Sequence, residues 1–267
     1  MKAKITYLGG ATYLIEIGSF RLLTDPGFDP EGTEKSEGPG HVLKKVMSPP
    51  IPAEEIGELD AVLLSHQQHY DNLDISGRAL LPKVAKVITT KESAGFLSDN
   101  AHGIDTWETV KLRKPGGEAI RVTGTPAAHG LAPEVRAATG ETMGFVIEWE
   151  GQPGGALYIS GDTVYIDDLE EIGKRFDIGA AILHMGAAKI PAAGDNALTM
   201  TTAEGIKLAQ SLNAKDIFPA HFEGWLHYTE GRDTIEAAFA ASPLGDRVHM
   251  LMPGESAEIG MGMELEA

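Results

Sequence analysis

The sequence predicts an α/β fold in which two mixed β-sheets pack face to face and carry helices on their outer sides. Three observations lead there. Short apolar or alternating runs recur at strand length along nearly the whole chain. A few segments with helical spacing lie among them. The two halves also echo each other. Arg21-Leu22-Leu23-Thr24-Asp25 and Leu157-Tyr158-Ile159-Ser160-Gly161-Asp162 are strands ending in aspartate, and Asp60 to His66 and Asp177 to His184 are strands ending in histidine, in the same order in each half. A duplicated half-domain would bring all four strand ends to one edge.

In chain order, periodicity places strands at 3–8, 12–17, 20–24, 61–65, 84–89, 108–112, 118–124, 143–149, 155–160, 178–183, 215–219 and 248–252. The chain enters the first of them directly, since Met1-Lys2-Ala3-Lys4-Ile5-Thr6-Tyr7 already alternates. Helices are expected at 54–58, 91–98, 167–175, 201–212 and 232–242. Thr201-Thr202-Ala203-Glu204 reads as a capping box, in which hydroxyl and carboxylate satisfy free amides at a helix start. Segment 26–52, rich in Gly, Pro and charge, reads as a long surface loop, and 126–142 and 186–200 are two more. Long loops in compact domains tend to be functional.

The 267 residues, 42% of them hydrophobic, suffice for one large domain or two small ones. With no linker and no low-complexity tract, a single domain over 1–267 is expected. No apolar run approaches the length that crosses a bilayer, and the N-terminus lacks the apolar core of a signal peptide. A cytoplasmic location and no membrane partner are the default expectations. A formal charge of −17 repels phosphates over most of the surface, so nucleic acid is not an expected partner. There is no cysteine, so any metal must be held by nitrogen and oxygen.

Residues 65–74 read Ser-His-Gln-Gln-His-Tyr-Asp-Asn-Leu-Asp, directly after the apolar Ala61-Val62-Leu63-Leu64. His66, His69 and Asp71 thus fall within six residues, on a loop leaving a buried strand. Imidazole and carboxylate together suit zinc, manganese or iron. A polar surface turn holding two histidines would read the same way. Elsewhere, His129, Asp162, His184 and His221 each follow an apolar segment. One such residue is more often a capped turn or a satisfied half-buried histidine. Four of them, on strands lying side by side, would converge at one sheet edge, where a metal would remove the desolvation and like-charge costs of the cluster. His227, in Gly224-Trp225-Leu226-His227-Tyr228, reads as ordinary packing or as lining a pocket beside Trp225 and Tyr228, and Glu223 is a candidate to orient His221. His41 reads as exposed or substrate-facing, and His102 and His249 as structural or exposed.

The pattern resembles the metallo-β-lactamase fold superfamily of metal-dependent hydrolases over nearly the whole chain. Ile5-Thr6-Tyr7-Leu8-Gly9-Gly10-Ala11-Thr12-Tyr13-Leu14-Ile15-Glu16 and Leu22-Leu23-Thr24-Asp25-Pro26 look like the start of its ascorbate-6-phosphate-lactonase-like branch. The resemblance implies a four-layer αββα sandwich with metals at one sheet edge. It makes Asp71 the motif aspartate, His129 the third histidine, Asp162 the bridging aspartate, His221 the final histidine and Asp25 a supporting aspartate. The family motif H-x-H-x-D-H stands here as His66-Gln67-Gln68-His69-Tyr70-Asp71-Asn72. Anchored on Asp71, His69 takes the second histidine place, Gln67 the first, and His66 falls one residue early, to be brought back by a one-residue bulge. One site would then comprise His66, His69 and His129 with Asp162. The other would comprise Asp71, Asp162 and His221, with Asn72 where an imidazole is usual.

These residues imply hydrolysis of a small molecule by a metal-activated water, on a lactone, ester or phosphoester. Asp162 would bridge or bind metal, and Asp71 would ligate or accept a proton. One or two divalent ions are expected, zinc first, with manganese or iron as alternatives. Asp25, Asn72, His184, Glu223 and His227 are the supporting or substrate-facing candidates, and Arg136 and Lys189 the candidate anion contacts. Two competing readings remain: a degenerate member that binds metal or ligand without turnover, to which Gln67 and Asn72 point, and an iron-dependent redox protein of the same fold, which the resemblance also implies. The lack of cysteine and of a secretion signal argues against an exported antibiotic-degrading lactamase. Oligomeric state is not legible in the sequence.

Overall fold

A computed structural model describes residues 1–36, 42–152 and 154–259. The strands, in chain order, are β1 (Ala3–Gly9), β2 (Thr12–Ile17), β3 (Phe20–Thr24), β4 (Glu34–Ser36), β5 (Val42–Lys44), β6 (Ala61–Leu63), β7 (Val87–Thr90), β8 (Ala101–Ile104), β9 (Thr109–Arg113), β10 (Ala119–Thr125), β11 (Gly144–Trp149), β12 (Ala156–Ile159), β13 (Ile178–His184), β14 (Asp216–Ala220) and β15 (Ser256–Ile259). The α-helices are α1 (Ile75–Leu80), α2 (Lys91–Ala94), α3 (Pro133–Thr139), α4 (Glu170–Arg175), α5 (Thr202–Ser211) and α6 (Arg232–Ala240).

Two large mixed sheets result. One has the order β15-β1-β2-β3-β6-β7-β8, the other β14-β13-β12-β11-β10-β9. In each sheet an antiparallel run passes into parallel strands, at β3–β6 and at β12–β13. Strand pleating assigns alternate residues to opposite faces. Leu22, Ala61 and Leu63 enter the core between the sheets, while Leu23, Val62 and Leu64 face the outer layer with Leu73 and Leu80. On the second sheet Ala180 and Ile182 face inward, and Ala181 and Leu183 pack outward with Leu208, Ile235 and Phe239 of α5 and α6. Three apolar interfaces therefore separate four layers.

Eleven expected strands form, with ends shifted by up to three residues. The twelfth does not. In 248–252 only Val248 bridges, to Ile217. The Arg232 guanidinium takes the Met250 and Leu251 carbonyls, so no ladder can use them, and β15 pairs with β1 instead. The helix expected at 54–58 shrinks to a single 3₁₀ turn, Ala53–Glu55, because Arg21 donates to the Ile56 and Glu58 carbonyls and Gly57 turns the chain at φ +78°. The expected 91–98 helix stops at Ala94. Segment 126–142 is not all loop, since it holds α3, closed by Gly140 at φ +76°. Likewise, β4 and β5 form a hairpin within 26–52. His41 lies outside the described residues. No described helix is long and apolar enough to cross a membrane.

Candidate metal centre

The parallel strands end at a common edge, and the polar residues at their ends meet there. Two clusters form. His66, His69 and His129 make one; Asp71, Asp162 and His221 make the other, with the potential ligand atoms of each cluster all within 4.8 Å of one another. The first sheet supplies His66, His69 and Asp71 from the loop after β6. The second supplies His129, Asp162 and His221 after β10, β12 and β14.

In the first cluster, His66 Nε2 lies 2.9 Å and His129 Nε2 3.0 Å from His69 Nδ1. One imidazole nitrogen offers one proton or one lone pair, so three ring nitrogens converging on a point hydrogen-bond poorly. They suit a cation. Outer partners aim the rings. His129 Nδ1 donates to the Leu198 carbonyl at 2.8 Å, which leaves Nε2 as the inward lone pair, and His66 Nδ1 lies 2.8 Å from Ser65 Oγ. Ser65 also donates through its backbone N–H (2.7 Å) and hydroxyl (2.9 Å) to Asp25 Oδ1. Asp25 thus supports His66 through Ser65. No strand bulge recovers His66; β6 ends at Leu63 and irregular turns bring the histidine round. Gln67 is not a substitute for it, because Arg78 holds the Gln67 side-chain oxygen at 2.7 Å.

In the second cluster, His221 Nε2 lies 3.1 Å from Asp71 Oδ2 and 3.3 Å from Asp162 Oδ2. Asp162 Oδ2 is also 3.9 Å from His129 Nε2, so it stands between the clusters. That oxygen is buried and has no hydrogen-bond partner. The other oxygen, Oδ1, is fixed by His184 Nδ1 at 2.8 Å, and His184 Nε2 lies 3.9 Å from Asp25 Oδ2. The four echoing strand ends, Asp25, His66, Asp162 and His184, therefore meet as one buried assembly. His227 Nε2 lies 3.0 Å from Asp71 Oδ2, and the Tyr228 ring is 4.5 Å from both His221 and His227. Trp225 is buried beneath Lys45, whose Nζ is 5.4 Å from its ring.

Burial and charge set the protonation states. Burial, then the neighbouring His69, holds His66 well below the usual imidazole range. Burial, then His129, pushes His69 down to about 4. Burial also lowers His184. Neutral imidazoles with free lone pairs are what metal binding requires. His221 goes the other way: burial alone would lower it, but Asp162 and Asp71 outweigh that and raise it to about 9. Burial would raise Asp71, yet hydrogen bonds from His221 and His227 hold it well below the carboxylate range. Asp162 is likewise held low against its burial, chiefly by the His221 charge and the His184 hydrogen bond. Burial raises Asp25 in spite of the two Ser65 hydrogen bonds.

Several expected residues stand elsewhere. Glu223 does not orient His221; it pairs with Arg232 at 2.8 Å, and His221 Nδ1 has no partner. The Asn72 amide nitrogen lies 3.4 Å from Ser65 Oγ, and its oxygen is buried without a hydrogen-bond partner. His249 bonds Asp216 at 2.9 Å and stacks on Phe218, away from the centre, and His102 is exposed on β8. Arg136 lines an open groove beside His129, where its Nε donates to the Gly130 carbonyl. Ser65 and the Leu198 carbonyl were not singled out beforehand. Ser65, next to the first histidine, carried a faint signal; the carbonyl carried none.

The β-lactamase superfamily domain matches residues 20–222 of this chain. The chain belongs to the metallo-β-lactamase superfamily. Among the relatives of this superfamily member, a metal-dependent hydrolase of Pelotomaculum thermopropionicum is 29% identical over 268 residues, covering 96% of this chain and 100% of the relative. Two solved structures share the fold: an isothiocyanate hydrolase from Delia radicum gut bacteria (TM-score 0.78, 20% identity, 95% and 98% of the two chains) and a metallo-hydrolase from Ignicoccus hospitalis (TM-score 0.71, 18% identity, 97% and 98%).

Proposed function

We propose that the protein hydrolyses a small lactone, ester or phosphoester at a centre of two divalent ions, zinc first among the candidates. The observation that carries this is the buried, unpartnered Oδ2 of Asp162, which faces His129 on one side and His221 on the other. Left without a cation, two carboxylates and a bare acceptor so deeply buried would be costly. The donor set of imidazoles and carboxylates fits zinc, manganese or iron. His66, His69 and His129 would hold one ion and Asp71, Asp162 and His221 the other. When bound, such ions lower the pKa of a water toward neutrality and stabilise charge on the scissile group.

The chain's own residues arrange the rest. His184 turns Asp162 so that Oδ2 faces both clusters. Leu198 and Ser65 fix which nitrogens of His129 and His66 point inward. Asp71 Oδ2 is engaged by two imidazoles, which favours the ligand role over that of proton acceptor. Metal analysis of the purified protein, paired with a hydrolysis screen over a lactone, an ester, a phosphodiester and an isothiocyanate, tests the reading. About two zinc or manganese ions per chain with turnover of one class is the expected result. Iron with a visible absorption band would point instead to redox chemistry, and a metal-free, inactive protein to a binding module.

A further inference from the structure

We propose that His227 is the fourth protein donor to the ion held by Asp71, Asp162 and His221. The inference rests on the metal-centre reading above and adds a ligand that neither the motif loop nor the strand ends supply.

The two clusters are unequal. One is made of three imidazoles, the other of two carboxylates with a single imidazole. Three protein donors leave a position open on a zinc ion, and a fourth closes it. His227 arrives from the turn after β14, six residues beyond His221. Its Nε2 lies 3.0 Å from Asp71 Oδ2, and His221 Nε2 lies 3.1 Å from the same oxygen. Asp71 Oδ2 is thus addressed by two imidazole nitrogens at nearly equal distance. His227 Nδ1 is buried with no partner, so Asp71 is the sole polar group that its ring addresses among the described residues. The backbone and neighbouring rings set its position. Lys189 N–H donates to the His227 carbonyl at 3.2 Å, and the Tyr228 ring packs 4.5 Å from His227 and from His221. Asn72 is the rival donor. Its amide nitrogen lies 3.4 Å from Ser65 Oγ, the atom that supports His66 of the other cluster; its oxygen is buried without a partner, but an amide oxygen is a poorer partner for zinc than an imidazole.

Metal titration tests this. Metal-free protein, prepared by chelation, is titrated with cobalt(II), with its visible absorption recorded, and with zinc, for the wild type, His227→Ala, His227→Gln and Asn72→Ala. Thermal melts of the metal-free forms check that each variant folds. The wild type should bind two ions per chain. Both His227 variants should keep one tight ion, bind the second at least about 10-fold more weakly, and lose part of the cobalt absorption; Asn72→Ala should bind as the wild type does. Glutamine retains an N–H donor toward Asp71 but has no imidazole lone pair. Wild-type binding by His227→Gln alone would therefore reduce His227 to a brace for Asp71 and overturn the proposal. So would two equally tight ions in both His227 variants, or loss of the second ion in Asn72→Ala only. A wild type that binds one ion, with an affinity insensitive to His227, also overturns it. A wild type that binds no ion brings down the metal-centre reading itself.

Discussion

Asp162 is held by one oxygen so that the other stays free, and His184 is the residue that does this. Its ring is fully buried, lies parallel to His221 at 5.3 Å, and gives its Nδ1 to Asp162. His184→Ala should weaken metal binding by about 10–100-fold, the usual effect of removing a partner behind a ligand, and His184→Gln should recover part of it; equilibrium dialysis reads both. Asp162→Ala should lose ions from both clusters and turnover with them, in a protein that still folds by circular dichroism. Asp25 and His221 are also two of the five described non-glycine residues at positive φ, +26° and +59°. Such backbone costs on the order of 1–3 kcal/mol and persists where the surroundings impose it. For His221 they do: its N–H donates to the Gly10 carbonyl at 2.7 Å. The six clustered ligands were legible in part as polar residues ending apolar runs and in part from the 65–74 segment, and the family resemblance sorted them from His184. Glu223 was not, because nothing in the spacing shows that Arg232, nine residues on, would claim it.

At the scale of elements, α1 and segment 26–52 are locked together by one buried carboxylate. Asp74 caps α1 through the Gly77 N–H (2.9 Å), accepts from the Asp29 N–H (2.6 Å) and pairs with Lys45 Nζ (2.9 Å); both charged side chains are nearly inaccessible, at 6% and 0%. Asp74→Ala would leave Lys45 buried and unpaired and should cost about 3–5 kcal/mol in urea unfolding. Gly77→Ala should also destabilise strongly, because a Cβ there would fall on the Pro26 carbonyl oxygen. α1 escaped the periodicity for a physical reason. It is six residues long, buries only Gly77 and Leu80, and exposes Ile75, so it has no apolar stripe to detect. Caps and tertiary bonds form it, as they must for so short a helix. By contrast α5 announced itself, since its capping box is present as Thr201 and Glu204 predicted.

The whole molecule feels the centre because the ligands come from both sheets. An ion bound there ties the halves of the sandwich together, and at 100 times its Kd would stabilise the fold by about 2.7 kcal/mol, a Tm rise on the order of 5–10 °C. Chelation should reverse that rise in a thermal melt. The gap should also depend on pH. In the metal-free protein Asp162 and Asp71 flank His221 and, against its burial, raise its pKa from 6.5 to about 9. A raised folded pKa contributes stability that is complete below 6.5 and lost as pH climbs to about 9. A bound ion replaces the His221 proton, so the Tm difference between loaded and metal-free protein should widen from pH 6.5 to 9. A constant difference would show that His221 carries no such proton. Apolar periodicity and the echo between the halves marked the two-sheet architecture, because pleating and burial are local properties of the chain; the 65–74 segment, the polar ends of apolar runs and the family resemblance together marked His66, His69, Asp71, His129, Asp162 and His221. Which polar residues pair, and therefore the roles of His184, His227 and Ser65, was decided only by tertiary structure, since those contacts span tens to more than a hundred residues and depend on how the sheets stack.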